Sequence, residues 1–180
     1  MIWFTSDTHF NHFRIIEYTN RPFSSAEEMT ETLIRNWNAC VKPDDTIYHL
    51  GDVGFGQVNH VVNVMRRLAG HKFLIIGNHD HRNLKDPMFH SCFEWVKDYY
   101  ELNAEKKRYI LFHYPILSWN GRNHQSLHLS GHEHGRVDKY TDLHLDIGVD
   151  SNIAQYMPLS IHTVNAIMET KAKKMREAAK

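Results

Sequence analysis

Cysteine is scarce: the 180 residues contain two, Cys40 and Cys92, and neither falls in a C-x-x-C pair. A small secreted scaffold stapled by disulfides would carry more, so free thiols and a reducing, cytoplasmic setting are expected. Charge of one sign is also missing. Twenty-one basic residues balance 21 acidic ones, so no overall field draws the chain to nucleic acid or to a lipid surface. Nucleic acid is expected only as a substrate, and no membrane partner is expected. No run approaches the roughly 18 apolar residues of a membrane span. The first residues, Met1-Ile2-Trp3-Phe4-Thr5-Ser6-Asp7, lack the basic start and long apolar stretch of a secretion signal. Low-complexity tracts, linkers and internal repeats are absent as well. One domain over residues 1–180 is therefore expected, large enough to bury roughly two-thirds of its surface. Oligomeric state is not legible in such a sequence.

What the chain has in quantity is histidine, 15 in all, scattered rather than bunched. Imidazole is a common metal ligand and the usual acid–base group near neutral pH, so position matters more than number. Short apolar runs of strand length recur: Ile2-Trp3-Phe4, Thr46 to Leu50, Phe73 to Ile76, Tyr109 to Phe112, Ser126 to Leu129, and Leu143 to Ile147. Helical patterns lie between the early ones. Ser25-x-x-Glu28 reads as a capping box ahead of Met29, Leu33, Trp37 and Val41. Val58, Val61, Val62, Met65 and Leu68 mark a second helix, with Gly70 placed to end it. Alternating strands and helices predict an α/β sheet. The second half has shorter connections, such as the charged Glu105 to Arg108 turn, and is expected to be more antiparallel. A last helix over about 160–180 follows Pro158 and ends in a solvated basic face.

The strands end in a recurrent way. The first run is followed by Asp7-Thr8-His9, the second by Gly51-Asp52 and the third by Gly77-Asn78-His79-Asp80. The fourth finishes at His113, and the fifth leads into Gly131-His132-Glu133-His134. Singly these signals are weak. A Gly-Asp pair is usually just a turn, and a lone histidine is usually a satisfied core or edge residue. Asp7-x-His9 and His132-x-His134 say more, because residues two apart in an extended segment face the same side. If all five ends lie along one edge of a sheet, Asp7, His9, Asp52, Asn78, His113, His132 and His134 converge on one small volume.

In this order the five motifs resemble those of the calcineurin-like metallophosphoesterases: D-x-H, G-D, G-N-H-[DE], H and G-H-x-H. The resemblance spans roughly residues 2–150, with no motif missing, and Asn20-Arg21-Pro22-Phe23 is similar to a subgroup of small bacterial or viral members. It implies a four-layer α/β/β/α sandwich of two mixed sheets. It also implies two divalent ions: Asp7, His9 and His134 would hold one, Asn78, His113 and His132 the other, and Asp52 would bridge them. A bridging carboxylate can keep two cations roughly 3.5–4 Å apart, where they clamp the attacking and leaving oxygens of an in-line displacement and acidify a water to serve as the nucleophile. Imidazole with carboxylate suits Mn, Fe, Co, Ni or Zn better than Ca or Mg. By the same resemblance the Asn78 amide also donates to a phosphate oxygen, and His79 is not a ligand but faces the substrate, either protonating the leaving oxygen or stabilising the transition state. Asp80 would brace either the turn or one of the imidazoles, and His12, three residues beyond His9, lies close enough to reach bound phosphate. Arg14, Arg21, Trp119, Asn120 and Arg122 are further candidates for a substrate wall.

The extra domains of the larger branches are not expected here, and Gly51-Asp52-Val53-Gly54-Phe55-Gly56 lacks the arginine of the protein-phosphatase signature. A minimal, uncapped phosphoesterase remains, acting on a small or nucleotide-like phosphate ester. A diester is favoured because none of the five motifs carries a lysine or arginine to neutralise a monoester dianion. A phosphomonoesterase is the alternative within enzymes. Outside them stand a metal-binding interaction module and a histidine-rich metal buffer.

Overall fold

The computed structural model describes residues 1–136 and 143–178. Its strands are β1 (Ile2–Thr5), β2 (Thr46–His49), β3 (His71–Ile75), β4 (Val96–Lys97), β5 (Tyr99–Ala104), β6 (Lys107–Phe112), β7 (Leu127–Ser130), β8 (His144–Asp146) and β9 (Leu159–Ser160). Its helices are α1 (Phe13–Thr19), α2 (Ala26–Cys40), α3 (Val58–Arg67), α4 (Pro87–His90) and α5 (Ile161–Ala178). Two mixed sheets form, in the orders β4-β3-β2-β1-β9 and β5-β6-β7-β8, with helices around them as the resemblance implies.

Side-chain alternation assigns each face. In the first sheet Phe4, Tyr48 and Ile75 point one way, into a cluster with Tyr109, Leu111, Leu127, Leu129 and Leu145 of the second sheet. Their neighbours Ile47 and Leu74 point the other way, onto Met29, Leu33 and Trp37 of α2 and Val61, Val62 and Met65 of α3. Period 2 in the strands and period 3.6 in the helices thus produce two cores, one between the sheets and one under the helices. Helix α5 sends Ile161, Val164 and Met168 into the inter-sheet cluster. On the outer face of the second sheet His128 has the tilted Trp119 ring as a neighbour and the Ile116 N–H as a donor.

The Ser25 side chain accepts the Glu28 N–H at 3.1 Å, as the capping box requires. The Glu28 carboxylate, however, turns to the N–H and hydroxyl of Ser24. Gly70 ends the α3 region at φ +92. The second half is more antiparallel than the first, as expected, but not throughout: among the described residues β5–β6 and β1–β9 are antiparallel, whereas β6–β7 and β7–β8 are parallel. The Glu105-Lys106 hairpin does reverse the chain, but residues 113–126 run back across the sheet before β7 begins, and such a crossover returns a strand in parallel. The topology therefore sends the C-terminal ends of β1, β2, β3, β6 and β7 toward one edge, the location where open α/β sheets place their sites. A parallel bridge between Ser6 and Gly148 joins the two sheets there. Among the described residues no helix is long and apolar enough to cross a membrane.

Candidate metal centre

All seven residues singled out as ligands meet at this edge. Asp7, His9 and His134 bring ligand atoms within 4.8 Å of one another, and so do Asp7, Asp52 and His113. Asn78 joins the second group: its Oδ1 lies 3.0 Å from His113 Nε2 and 3.0 Å from His132 Nδ1. Asp52 sits between the groups, with Oδ2 at 3.5 Å from His9 Nε2 and 3.7 Å from His113 Nε2. Cis ligands of an octahedral ion with bonds of about 2.1 Å lie about 3.0 Å apart, so the spacing around Asn78 suits a small divalent cation.

Three further observations test whether the residues fit metal. His9 is buried, and among the described residues neither its Nδ1 nor its Nε2 has a hydrogen-bond partner; two buried nitrogens without hydrogen bonds are costly unless something outside the chain satisfies them. Burial pushes the Asp7 carboxyl up to about 8, with Asp52 and Asp146 adding to the effect while His134 opposes it. A cation reverses that balance. Finally, the outer nitrogens of two imidazoles are already committed. His113 Nδ1 donates to the Leu50 carbonyl at 2.7 Å and His134 Nδ1 to Asp150 Oδ2 at 2.7 Å, which leaves each Nε2 lone pair free for an ion. The donor set fits.

The backbone explains how five loops hold this geometry. The first two strand ends are zipped together by Asp7 N–H to Gly51 O, His9 N–H to Asp52 O and Phe10 N–H to Val53 O, at 2.9–3.0 Å. Asp7 accepts the His132 N–H on its carboxylate, joining the first strand end to the fifth. Asp52 Oδ1 accepts the His79 N–H at 2.9 Å. Asp80 braces the turn as expected, its carboxylate taking the N–H groups of Asp52, Val53 and Gly77, each at 2.9 Å. Gly51 N–H donates to His49 Nδ1, so His49 Nε2 carries the proton and donates to Thr8 Oγ1, which in turn donates to the Val53 carbonyl.

One geometric premise does not hold. Asp7 and His9, like His132 and His134, do not face the same side because of an extended pleat. All four adopt left-handed backbone, with φ of 56, 48, 73 and 52, and Asp52 does so at 59. These kinks, not alternation, turn the side chains inward.

The remaining candidates separate cleanly. His79 is exposed at the rim, its ring 5.6 Å from that of His9. His12 is 5.5 Å from His9 and lies parallel to Phe55 at 3.9 Å. His81 is exposed. Arg21 is not a substrate wall. It is buried, with Nε and Nη2 bidentate on Asp150 at 2.8 and 2.7 Å, Nη2 also on the Asp7 carbonyl and Nη1 on the Thr8 carbonyl and Met29 sulfur. Trp119, Asn120 and Arg122 lie elsewhere too: Trp119 against His128, Asn120 on the Glu101 carboxylate and Arg122 over Trp119.

Sequence reasoning passed over Asp150, Asp146, Phe55 and Tyr114. Asp150 links Arg21 to His134. Burial would disfavour the charged His134 ring, but the Asp150 hydrogen bond and the Asp7 and Asp150 charges outweigh it and raise its pKa. Asp146 accepts the Gly135 and Gly148 N–H groups. Tyr114 edges against His113 and His132. A signal for Asp150 existed: the sixth apolar run ends in Gly148-Val149-Asp150, another strand end followed by a carboxylate.

The calcineurin-like phosphoesterase family profile matches residues 1–140, and the chain belongs to that family. Its members use divalent metals and act on phosphate esters. The uncharacterized protein MJ1445 of Methanocaldococcus jannaschii is 34% identical over 174 residues, covering 93% of this chain and 91% of that protein. A protein of unknown function from Aquifex aeolicus, AQ665, superposes with a TM-score of 0.73 at 26% identity, over 93% of this chain and 98% of the other. A novel archaeal phosphodiesterase shares the fold, with a TM-score of 0.53 at 18% identity over 89% and 93% of the two chains.

Proposed function

We propose that the protein is a two-ion phosphoesterase that prefers diesters of small or nucleotide-like alcohols. Asp7, His9 and His134 would hold one divalent transition ion, Asn78, His113 and His132 the other, with Asp52 between them. When bound, such ions neutralise phosphate charge and lower the pKa of water. The chain's own residues do the rest. Asp52 and Asn78 fix the spacing of the two halves, Asp150 and the Leu50 carbonyl hold two imidazoles in one tautomer, and His79 at the rim gives its proton to the leaving oxygen as the P–O bond breaks.

The observation that carries the diester preference is the disposition of Arg21. Its donors are spent on Asp150, two backbone carbonyls and Met29, so this guanidinium offers nothing to a bound phosphate. A monoester dianion benefits from a fixed cationic clamp beyond the metals; a diester monoanion needs less neutralisation, and the exposed rim leaves space for its second substituent. The test compares kcat/KM for bis-p-nitrophenyl phosphate and p-nitrophenyl phosphate with Mn²⁺ or Ni²⁺ supplied, alongside elemental analysis of the reconstituted protein. Preference for the diester with two metal equivalents is expected. Preference for the monoester, abolished by Arg14→Ala, would mean that an exposed guanidinium closes over the site and would overturn the assignment.

A further inference from the structure

Phe55 lies just beyond Asp52, and its ring belongs to neither hydrophobic cluster. Among the described residues its ring neighbours are all imidazoles. His12 is parallel to it at 3.9 Å with 13° between planes, His79 is tilted against it at 4.9 Å, and His9 is 5.6 Å away. The backbone presenting this ring is fixed. Phe55 N–H donates to the Phe10 carbonyl at 2.8 Å, and Asn83 Nδ2 donates to the Gly54 carbonyl at 2.9 Å. Gly54 itself is pressed against its surroundings, since an added Cβ would come 3.1 Å from Phe10 O and 3.2 Å from Val61 Cγ1. A half-buried phenylalanine on a rigid loop, packed on histidines rather than on the core, is not there to fill the core.

His79 supplies the reason. Its backbone N–H is held by Asp52, but among the described residues its imidazole makes no hydrogen bond. An exposed side chain with two free torsions populates several rotamers, whereas a proton donor must stay within hydrogen-bond reach of the atom it serves. No polar partner fixes this ring, so packing must.

We propose that Phe55 is the positioning residue for His79: its ring, backed by the parallel imidazole of His12, confines the His79 imidazole beside His9. This rests on the reading of His79 as the group that protonates the leaving oxygen. In that step the P–O bond breaks, its electron pair stays on the oxygen, and the His79 proton goes to it. A leaving group that needs little protonation should then be indifferent to Phe55.

The experiment measures kcat and KM for phosphate esters of p-nitrophenol and of phenol that share the same second substituent. The proteins are the wild type, Phe55→Ala, Phe55→Trp, His79→Ala and the Phe55→Ala/His79→Ala double variant. Phe55→Ala should lower kcat about tenfold on the phenol ester and less than about twofold on the p-nitrophenol ester, with KM and metal content unchanged. Phe55→Trp should restore most of the loss. In the His79→Ala background Phe55→Ala should have no further effect. Equal losses on both esters, or losses that multiply with those of His79→Ala, would overturn the proposal while leaving the role of His79 intact. If His79→Ala itself discriminates no better between the esters, the role of His79 fails and the proposal falls with it. Should Phe55→Ala not fold, Phe55→Leu, which keeps apolar volume but loses the flat ring, carries the same comparison.

Discussion

Replacing Asp150 by Asn changes little in volume and much in electrostatics. The Asp150 carboxylate receives Arg21 Nε at 2.8 Å and Thr19 Oγ1 at 3.3 Å on Oδ1, and Arg21 Nη2 and His134 Nδ1 at 2.7 Å each on Oδ2. An amide keeps one acceptor oxygen. Whichever way it turns, its NH₂ faces donors, and the Arg21 guanidinium stays buried without a counter-charge. Removing one partner from a buried pair costs about 3–5 kcal/mol, against a total stability of about 5–15 kcal/mol for a domain. Arg21 also ties down the Asp7 and Thr8 carbonyls, so the damage reaches the first strand end. Loss of the carboxylate behind His134, read as a ligand in the proposed function, is expected to lower metal affinity about 10–100-fold. Both effects are therefore expected in Asp150→Asn: a fall of about 3 kcal/mol or more in urea unfolding of the metal-free protein, and weaker binding in a Mn²⁺ titration. The pH dependence has a sign. Burial opposes ionisation of Asp150, but the hydrogen bonds from His134 and Arg21 overcome it and lower its pKa. Its contribution is thus present above the unfolded carboxylate value of about 3.9 and is lost as pH falls below it; the variant should lack that acid-side loss. Stability within about 1 kcal/mol of wild type, with an unchanged metal titration, would refute the bracing role, since the loss of a buried counter-charge should exceed that margin.

Two other expectations depend on different parts of the molecule. Gly131→Ala should lower kcat/KM at least about 100-fold, because a Cβ there would overlap Ser6 Oγ and Asp7 Oδ2, whereas Gly56→Ala, strained at φ +89 but with nothing within 4 Å, should stay active; comparable activities would refute the steric reading. Burial holds His144 at about 3, so the unfolded chain binds a proton that the folded one refuses as pH drops below about 6.5, and stability falls with acidification. His144→Gln should flatten that fall by up to about 1.4 kcal/mol per pH unit between about pH 6 and 4 in urea melts, and an unaltered slope would dismiss it.

How far the sequence could be read depended on whether a feature is local. The α2 face (Met29, Leu33, Trp37) and the strand alternation that builds the two cores are short-range periodicities, and both appear where expected. Convergence of the five strand ends was also legible, because each end carries a ligand-type residue immediately after an apolar run. Strand direction beyond the β5–β6 hairpin was not. It depends on where residues 113–126 travel, and loop length alone does not say whether a chain turns back or crosses over. Arg21 was misread for a similar reason. An arginine near a candidate phosphate site suggests a clamp, but its partner Asp150 is 129 residues away and no local pattern connects them. Phe55 left no trace at all, since one aromatic residue in a glycine-bounded loop is indistinguishable from a core plug.

The glycines of the motifs and the kinked candidate ligands share one explanation. Added Cβ atoms at Gly77 and Gly131 would overlap Asp52 Oδ1 and Asp7 Oδ2, and one at Gly51 would lie 2.6 Å from Gly77 Cα and 2.8 Å from His113 Nδ1. Each glycine thus marks a place where one strand end passes directly against the polar groups of the next. Strands in a sheet do not approach this closely along their length. They do so here because the loops beyond them bend sharply, and Asp7, His9, Asp52, His132 and His134 all bend at positive φ. Left-handed backbone costs a non-glycine residue about 1–2 kcal/mol, so five such residues would unfold the edge if they stood alone. They are held by the Asp7–Gly51 and His9–Asp52 backbone bonds, the Asp80 brace and the Asp7 carboxylate on the His132 N–H. The strain is local and its compensation is long-range. A sequence displays the glycines and the candidate ligands separately; only the fold shows that the first exist so that the second can touch.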